Sequence, residues 1–167
     1  MKPQRCEPTK VIDLVPQVLH LKKILVPTDF SPASKQAFKY AVKFAEQFDG
    51  ELTLIHVLTP APPSAANLAG VPAFSDKELD NAEKNLRDLV TSAREASVTA
   101  AQSTFRVGLA THEIVEAAKE LNVDLIVIAT HGYTGWKHLC IGSTAERVVR
   151  AAPCPVFVVR EKEHEFI

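Results

Sequence analysis

Five consecutive residues, Leu125-Ile-Val-Ile-Ala129, carry no polar side chain and lie between Asp124 and Thr130. Successive side chains of a strand point to opposite faces, so a strand with one solvated face alternates apolar and polar residues; this one does not alternate. A short continuous run of this kind predicts a strand buried on both faces, which requires helices above and below a parallel sheet. The residues after the run are equally specific. Gly132, Gly135 and Gly142 are three of the six glycines in the chain, and Gly142-Ser-Thr-Ala-Glu146 reads as a helix start. Here Ser143 is expected as N-cap and Glu146 as the returning partner of a capping box. Buried strand, glycine-bearing loop and helix N-terminus together bring backbone N–H groups and the positive end of a helix dipole to one point, a place suited to an anion.

The remaining chain supplies the rest of such a sheet. Lys23-Ile-Leu-Val-Pro-Thr28 predicts a first strand, with Pro27 at its C-terminal end where the ladder stops. Ser31-Pro32 reads as an N-cap followed by Pro at the first helical position, and the apolar stripe Ala37, Ala41, Phe44, Ala45 and Phe48 carries that helix to Phe48. Asp49-Gly50 stops it, and Glu51-Leu-Thr-Leu-Ile-His-Val57 is the second strand. Thr59 to Pro72, rich in Pro and Ala, reads as a mobile crossover loop. Ser75-Asp-Lys-Glu78 is a capping box opening a helix to about Ala96. Ser103-Thr-Phe-Arg-Val107 alternates and is expected at or near a sheet edge. Thr111 is expected to cap a helix striped by Ile114, Ala117, Ala118 and Leu121. After the buried run come a helix from Thr144 to Ala151 and a last strand within Pro153-Cys-Pro-Val-Phe-Val-Val-Arg160.

Strands alternating with helices imply right-handed crossovers and a doubly wound α/β sheet. Ligands of such sheets lie outside the carboxyl ends of the strands, where the winding reverses. If the first and fourth strands are neighbours, Pro27-Thr-Asp29 and the segment from Ala129 to Ser143 face each other across that crevice. Asp29 then serves either as an acceptor facing the crevice or as a cap on the turn before the first helix. The last strand is apolar on both faces yet terminal. Exposed edges are normally paired or covered, so pairing of Val156–Val159 with the same strand of a second copy, a two-fold dimer, is expected.

Composition narrows the function classes. A net charge of -1 over 167 residues argues against non-specific nucleic-acid binding, which needs a basic surface. No run approaches the ~18 apolar residues that span a bilayer. The charged start Met1-Lys-Pro-Gln-Arg-Cys-Glu7 is unlike a secretory signal, and three scattered cysteines fit a reducing cytoplasm. There is no Gly-x-x-x-x-Gly-Lys-Ser/Thr phosphate loop, no Gly-x-Ser-x-Gly elbow and no Cys/His pair at zinc spacing. Cys140 and Cys154 read as packing residues, Trp136 as an anchor over the glycine loop, and Lys137 either as a phosphate contact or as a solvated side chain.

Several segments in order now resemble one family: Lys23-Ile-Leu-Val-Pro-Thr-Asp-Phe-Ser31, His56-Val57, His131-Gly-Tyr-Thr-Gly135, Gly142-Ser-Thr-Ala-Glu-Arg147 and Pro153-Cys-Pro-Val-Phe-Val-Val159. Together they are similar to the universal stress protein family, over about Leu21 to Arg160. The resemblance implies a five-stranded parallel sheet of order 3-2-1-4-5 with helices on both faces, the adenine nucleotide alpha hydrolase-like fold. It also implies homodimers and, in one branch, an ATP site marked by Gly, two residues, Gly, nine residues, then Gly and Ser or Thr. Here Gly132 and Gly142-Ser143 match, and Ala129 stands at the first glycine position. Carried over, Pro27, Thr28 and Asp29 would line the adenine and ribose side, with Val57 on the base. Ala129, Thr130, His131 and Gly132 would approach ribose and phosphates, and Gly142, Ser143 and Thr144 would hold the phosphates. The function implied is a stress-response module that binds ATP, with or without Mg²⁺, and is regulatory, with slow hydrolysis at most. A nucleotide-free dimeric scaffold with an unidentified protein partner is the alternative. The domain is expected over 21–161, between an extension at 1–20 that is loosely docked or a partner-binding arm and a charged tail at 162–167.

Overall fold

The computed structural model describes residues 21–60, 74–130 and 142–160. Nine elements follow in order: β1 (Lys23–Pro27), α1 (Pro32–Phe48), β2 (Glu51–Leu58), α2 (Asp76–Glu95), β3 (Ala101–Val107), α3 (Ala110–Glu120), β4 (Leu125–Ala129), α4 (Ser143–Ala151) and β5 (Val156–Val159). The strands form one sheet of order β3-β2-β1-β4-β5, and every neighbouring pair is parallel. The predicted doubly wound α/β sheet is therefore what the chain adopts, with the winding reversing between β1 and β4. No helix among the described residues is long and apolar enough to cross a membrane.

Strand periodicity divides the core into two layers. Ile24 and Val26 of β1, Leu52 and Leu54 of β2, and Leu125 and Val127 of β4 pack with α1 and α2 on one face. Leu25, Ile55, Ile126 and Ile128 point the other way and pack with Ile114, Ala117 and Ala118 of α3 and Ala145 and Val148 of α4. That arrangement explains the unbroken apolar run of β4: residues 125 to 128 are all buried, alternately in one layer and the other. At the N-terminal end of the sheet, Asp124 accepts the backbone N–H groups of Lys22 and Lys23 at 2.8 and 2.9 Å. Lys22 Nζ in turn donates to the carbonyls of Phe48 and Asp49 at the end of α1, where the helix dipole favours a cation.

Capping explains where the helices begin. Ser31 caps α1 through Ser34 N–H, with Pro32 following, and Ser75 and Glu78 form the reciprocal box that opens α2. Two expected caps are corrected. Glu113 N–H bonds the carbonyl of Leu109, so α3 begins at Ala110, and Thr111 is already inside the helix with no capping role. Likewise Glu146 N–H bonds the carbonyl of Gly142, making Gly142 the N-cap and Ser143 the first helical residue. Helical dihedrals at Ser143 turn its hydroxyl away from the N–H groups it was expected to cap, and the Glu146 carboxylate pairs with Arg150 at 2.9 Å instead. The third strand begins two residues earlier than its alternation suggested, because Ala101 is buried under α2.

Candidate functional site at the winding reversal

A cavity of about 250 Å³ opens at the carboxyl ends of β1, β2 and β4. Its walls come from Pro27, Thr28 and Asp29 after β1, Ile55 and Val57 of β2, Ile128, Ala129 and Thr130 of β4, and Gly142, Ser143 and Thr144 at the start of α4. Nine of the residues expected at the site thus meet there. The other two, His131 and Gly132, lie outside the described residues, as do Gly135, Trp136, Lys137 and Cys140. Sequence reasoning missed Ser34, Ile55, Ala110, Ile114, Ile128 and Ala145, which also line the cavity. Ile114 carried only the signal of a core-facing helix stripe, and nothing in a single sequence tells a residue buried in a core from one lining a cavity within it.

The turn from β1 into α1 is the most constrained part of the wall. Phe30 has φ 64°, in the left-handed region that a bulky side chain disfavours, a conformation costing about 1–3 kcal/mol unless the surroundings enforce it. They do so through hydrogen bonds. Phe30 N–H donates to Thr28 Oγ1 and Ser31 N–H to Asp29 Oδ1, both at 3.1 Å, and Thr28 N–H donates to the carbonyl of Ile55 at 2.9 Å. Ser34 Oγ donates to the carbonyl of Ser31 at 3.0 Å, so in its 3.1 Å contact with Thr28 the threonine hydroxyl is the donor. The Thr28 hydroxyl is therefore occupied in shaping the turn. Asp29 does cap the turn, through Oδ1, and a carboxylate has lone pairs for further donors. The two readings of Asp29 are compatible.

Opposite Asp29, the α4 terminus presents a different chemistry. The first backbone N–H groups of a helix have no intrahelical acceptor, and here no side chain among the described residues caps them. Gly142 N–H is held by the carbonyl of Thr130 at 2.6 Å, which ties the start of α4 to the end of β4. Gly142 itself has φ -57°, open to any residue, so its backbone conformation makes no demand for glycine. Much of the remaining wall is apolar: Ile55, Ile114 and Ile128 are buried and Val57 is half-buried. A flat apolar body carrying hydroxyls and an anionic group matches this set of surfaces. For a divalent cation the fit is poorer, because Asp29 is the one carboxylate in the cavity wall and no cluster of three His, Cys, Asp or Glu side chains stands ready for a metal among the described residues. Cys154 lies half-buried beneath the sheet, where burial and the nearby Asp124 push its thiol pKa up, against thiolate chemistry.

The model of the universal stress protein family matches residues 20–160, nearly the whole chain and all of the described elements. The chain belongs to the universal stress protein family. Among its relatives, universal stress protein MJ0531 of Methanocaldococcus jannaschii is 36% identical over 150 residues, spanning 86% of this chain and 85% of that protein. The solved structure of universal stress protein UspA from Lactobacillus plantarum superposes with a TM-score of 0.78 at 30% identity, covering 86% of this chain and all of the other. A universal stress protein solved in complex with cAMP shares the fold at 23% identity and a TM-score of 0.65, over 86% of this chain and 100% of that one. The sheet order of this universal stress protein agrees with the fold those structures share.

Proposed function

We propose that this universal stress protein binds an adenine nucleotide in the cavity between β1 and β4 and acts as a regulatory module of the stress response. The observation that carries the reading is the set of surfaces that meet in that cavity: the Asp29 carboxylate, the apolar Ile55, Val57 and Ile128, and a start of α4 that no side chain caps among the described residues. The base would lie against the apolar side chains, ribose hydroxyls would donate toward Asp29, and phosphates would meet the N–H groups and hydroxyls of Ser143 and Thr144. The cAMP complex of a more distant family member is in keeping with this chemistry. ATP is the proposed ligand. Any Mg²⁺ would be carried mainly by the phosphates, since the wall offers it a single carboxylate. We read the module as binding rather than catalytic, because among the described residues of the wall no general base is arranged beside a nucleophile.

A second reading, a nucleotide-free scaffold, is favoured by one observation: Ala129, a residue of the wall, stands at the first glycine position of the family's ATP motif. Calorimetric titration with ATP, with and without Mg²⁺, separates the two. Saturable binding is expected, and Gly142→Val, whose backbone conformation is open to valine, should abolish it while the circular dichroism spectrum stays unchanged. Absence of heat with ATP, ADP, AMP and cAMP at millimolar concentration would sink the nucleotide reading.

The homodimer is part of the same proposal. β5 is an edge strand, and the carbonyls of Pro155 and Val159 already accept from Ile126 and Thr130 of the β4 side. Ladder alternation leaves the backbone groups of Val156 and Val158 on the outer side. Antiparallel pairing of two such edges about a two-fold axis would satisfy them.

A further inference from the structure

We propose that His56 is a positioning residue for the nucleotide pocket, acting through the turn that carries Asp29 and never touching the ligand. Its functional half rests on the adenine-nucleotide reading above. His56 lies in β2, in register with Phe105 of β3, and by strand alternation its side chain leaves the sheet on the α1 and α2 face. The neighbouring Val57 points into the cavity on the other face, and His56 is absent from the cavity wall. Yet its ring meets the cavity turn at two places. Nδ1 lies 2.8 Å from the carbonyl of Thr28, and because a carbonyl only accepts, Nδ1 carries the proton and donates. The imidazole also packs against the Phe30 ring, with centroids 4.5 Å apart and planes inclined by 33°.

These two contacts fall on either side of Asp29. One fixes the carbonyl of the residue before it, and the other covers the side chain of the residue after it, which holds the disfavoured φ of 64°. Of the other ties of this turn, Phe30 to Thr28 and Ser31 to Asp29 stay inside the segment, while others end on the backbone of β2 and on Ser34. His56 is a side chain from outside the turn and α1 that grips both its carbonyl and its ring. Without that grip the left-handed conformation of Phe30 loses support, and relaxation there would swing Asp29 away from the slot lined by Val57.

Two substitutions separate the donor from the ring. His56→Phe keeps an aromatic surface for Phe30 and removes the donor; His56→Asn keeps a side-chain N–H near the position of Nδ1. Loss of one such hydrogen bond should weaken ATP binding by about tenfold in His56→Phe and raise amide hydrogen exchange at Phe30 and Ser31 by a similar factor relative to mid-α1 amides. His56→Asn should remain within about threefold of the wild type in both readouts. The inference is overturned if His56→Phe matches the wild type in either readout, or if His56→Asn falls as far as His56→Phe. Should the wild type bind no nucleotide, the nucleotide reading falls by itself, and unchanged exchange at Phe30 and Ser31 in His56→Phe would overturn the positioning as well. If His56→Phe does not fold, His56→Leu carries the same comparison.

Discussion

Ser75 and Glu78 are three residues apart at the start of α2, and each satisfies the other's backbone: Ser75 Oγ accepts Glu78 N–H at 3.3 Å, and Glu78 Oε2 accepts Ser75 N–H at 2.8 Å. The backbone N–H of Ser75, followed by its hydroxyl, holds the Glu78 carboxyl below the usual carboxylate range. A depressed folded-state pKa means that the ionised form is favoured by folding. Its contribution is present above the ordinary carboxylate pKa and is lost as pH falls through the depressed value. Ser75→Ala should therefore be less stable than the wild type at neutral pH, with the difference shrinking as the carboxyl becomes protonated in acid. Thermal melting of both proteins at several pH values checks this, and a gap that widened in acid would contradict it. The same residue-scale logic governs the turn after β1, where Thr28, Asp29 and Ser34 use side-chain oxygens to hold a backbone shape that Phe30 by itself disfavours.

At the scale of elements, α3 depends on how the chain leaves β3. Gly108 has φ +156° and donates its N–H to the carbonyl of Leu58, while the Glu113 side chain folds directly over it. A Cβ at this position would meet Glu113 Oε1 at 2.7 Å and Cγ at 3.0 Å. Glu113 would have to swing away from Arg106, 3.8 Å distant, which also pairs with Glu120 and so links β3 to both ends of α3. These neighbouring carboxylates, Glu120 foremost, push the Arg106 pKa up. Gly108→Ala combines the backbone strain with the displaced carboxylate and should cost about 1–3 kcal/mol, measured by chemical denaturation. No loss of stability would show that the strand-to-helix joint tolerates a Cβ. α4 is the opposite case: its terminus lacks a side-chain cap among the described residues, which leaves it weaker as a helix and more receptive to an anion.

For the whole molecule, the decisive relation is between the sheet's two edges and its two layers. Val156 and Val158 of β5 pack into the α3 and α4 layer, while Phe157 packs edge-on against Phe44 with centroids 5.1 Å apart on the other side. A charge at Val158 would therefore damage the core and any dimer together. Proline is a cleaner probe, because an edge strand tolerates it where the N–H points outward. Val158→Pro removes an outward N–H and leaves the bonds to β4 in place, so it should convert a dimer into a folded monomer. Sedimentation velocity reads the mass, with circular dichroism as the control on folding. A Val158→Pro protein that kept the dimer mass would remove β5 from the interface.

By itself the sequence determined the element order, the buried fourth strand, two of the four helix starts and the family. These depend on neighbours a few residues apart: periodicity across Leu125–Ala129, the Ser31-Pro32 pair, the reciprocal Ser75 and Glu78. The facing of Pro27-Thr-Asp29 by Ala129, Thr130 and Gly142 to Thr144 at the β1–β4 reversal was also legible, because these stretches stood out in separate parts of the chain and the topology brought them together. Only the tertiary structure decided which donor reaches which acceptor. Ser143 and Thr111 had the chemistry of caps, but α4 begins at Ser143 itself and α3 begins at Ala110, ahead of Thr111. A shift of a residue or two is enough to turn a hydroxyl from its target. Nothing local marks Ser34 and Ile114 as cavity residues, or His56 as the partner of a carbonyl 28 residues earlier, since each depends on where distant strands come to rest. Periodicity is a property of the chain, whereas a hydrogen bond or a cavity wall is a property of distances between separate elements, and those distances exist only once the sheet has closed.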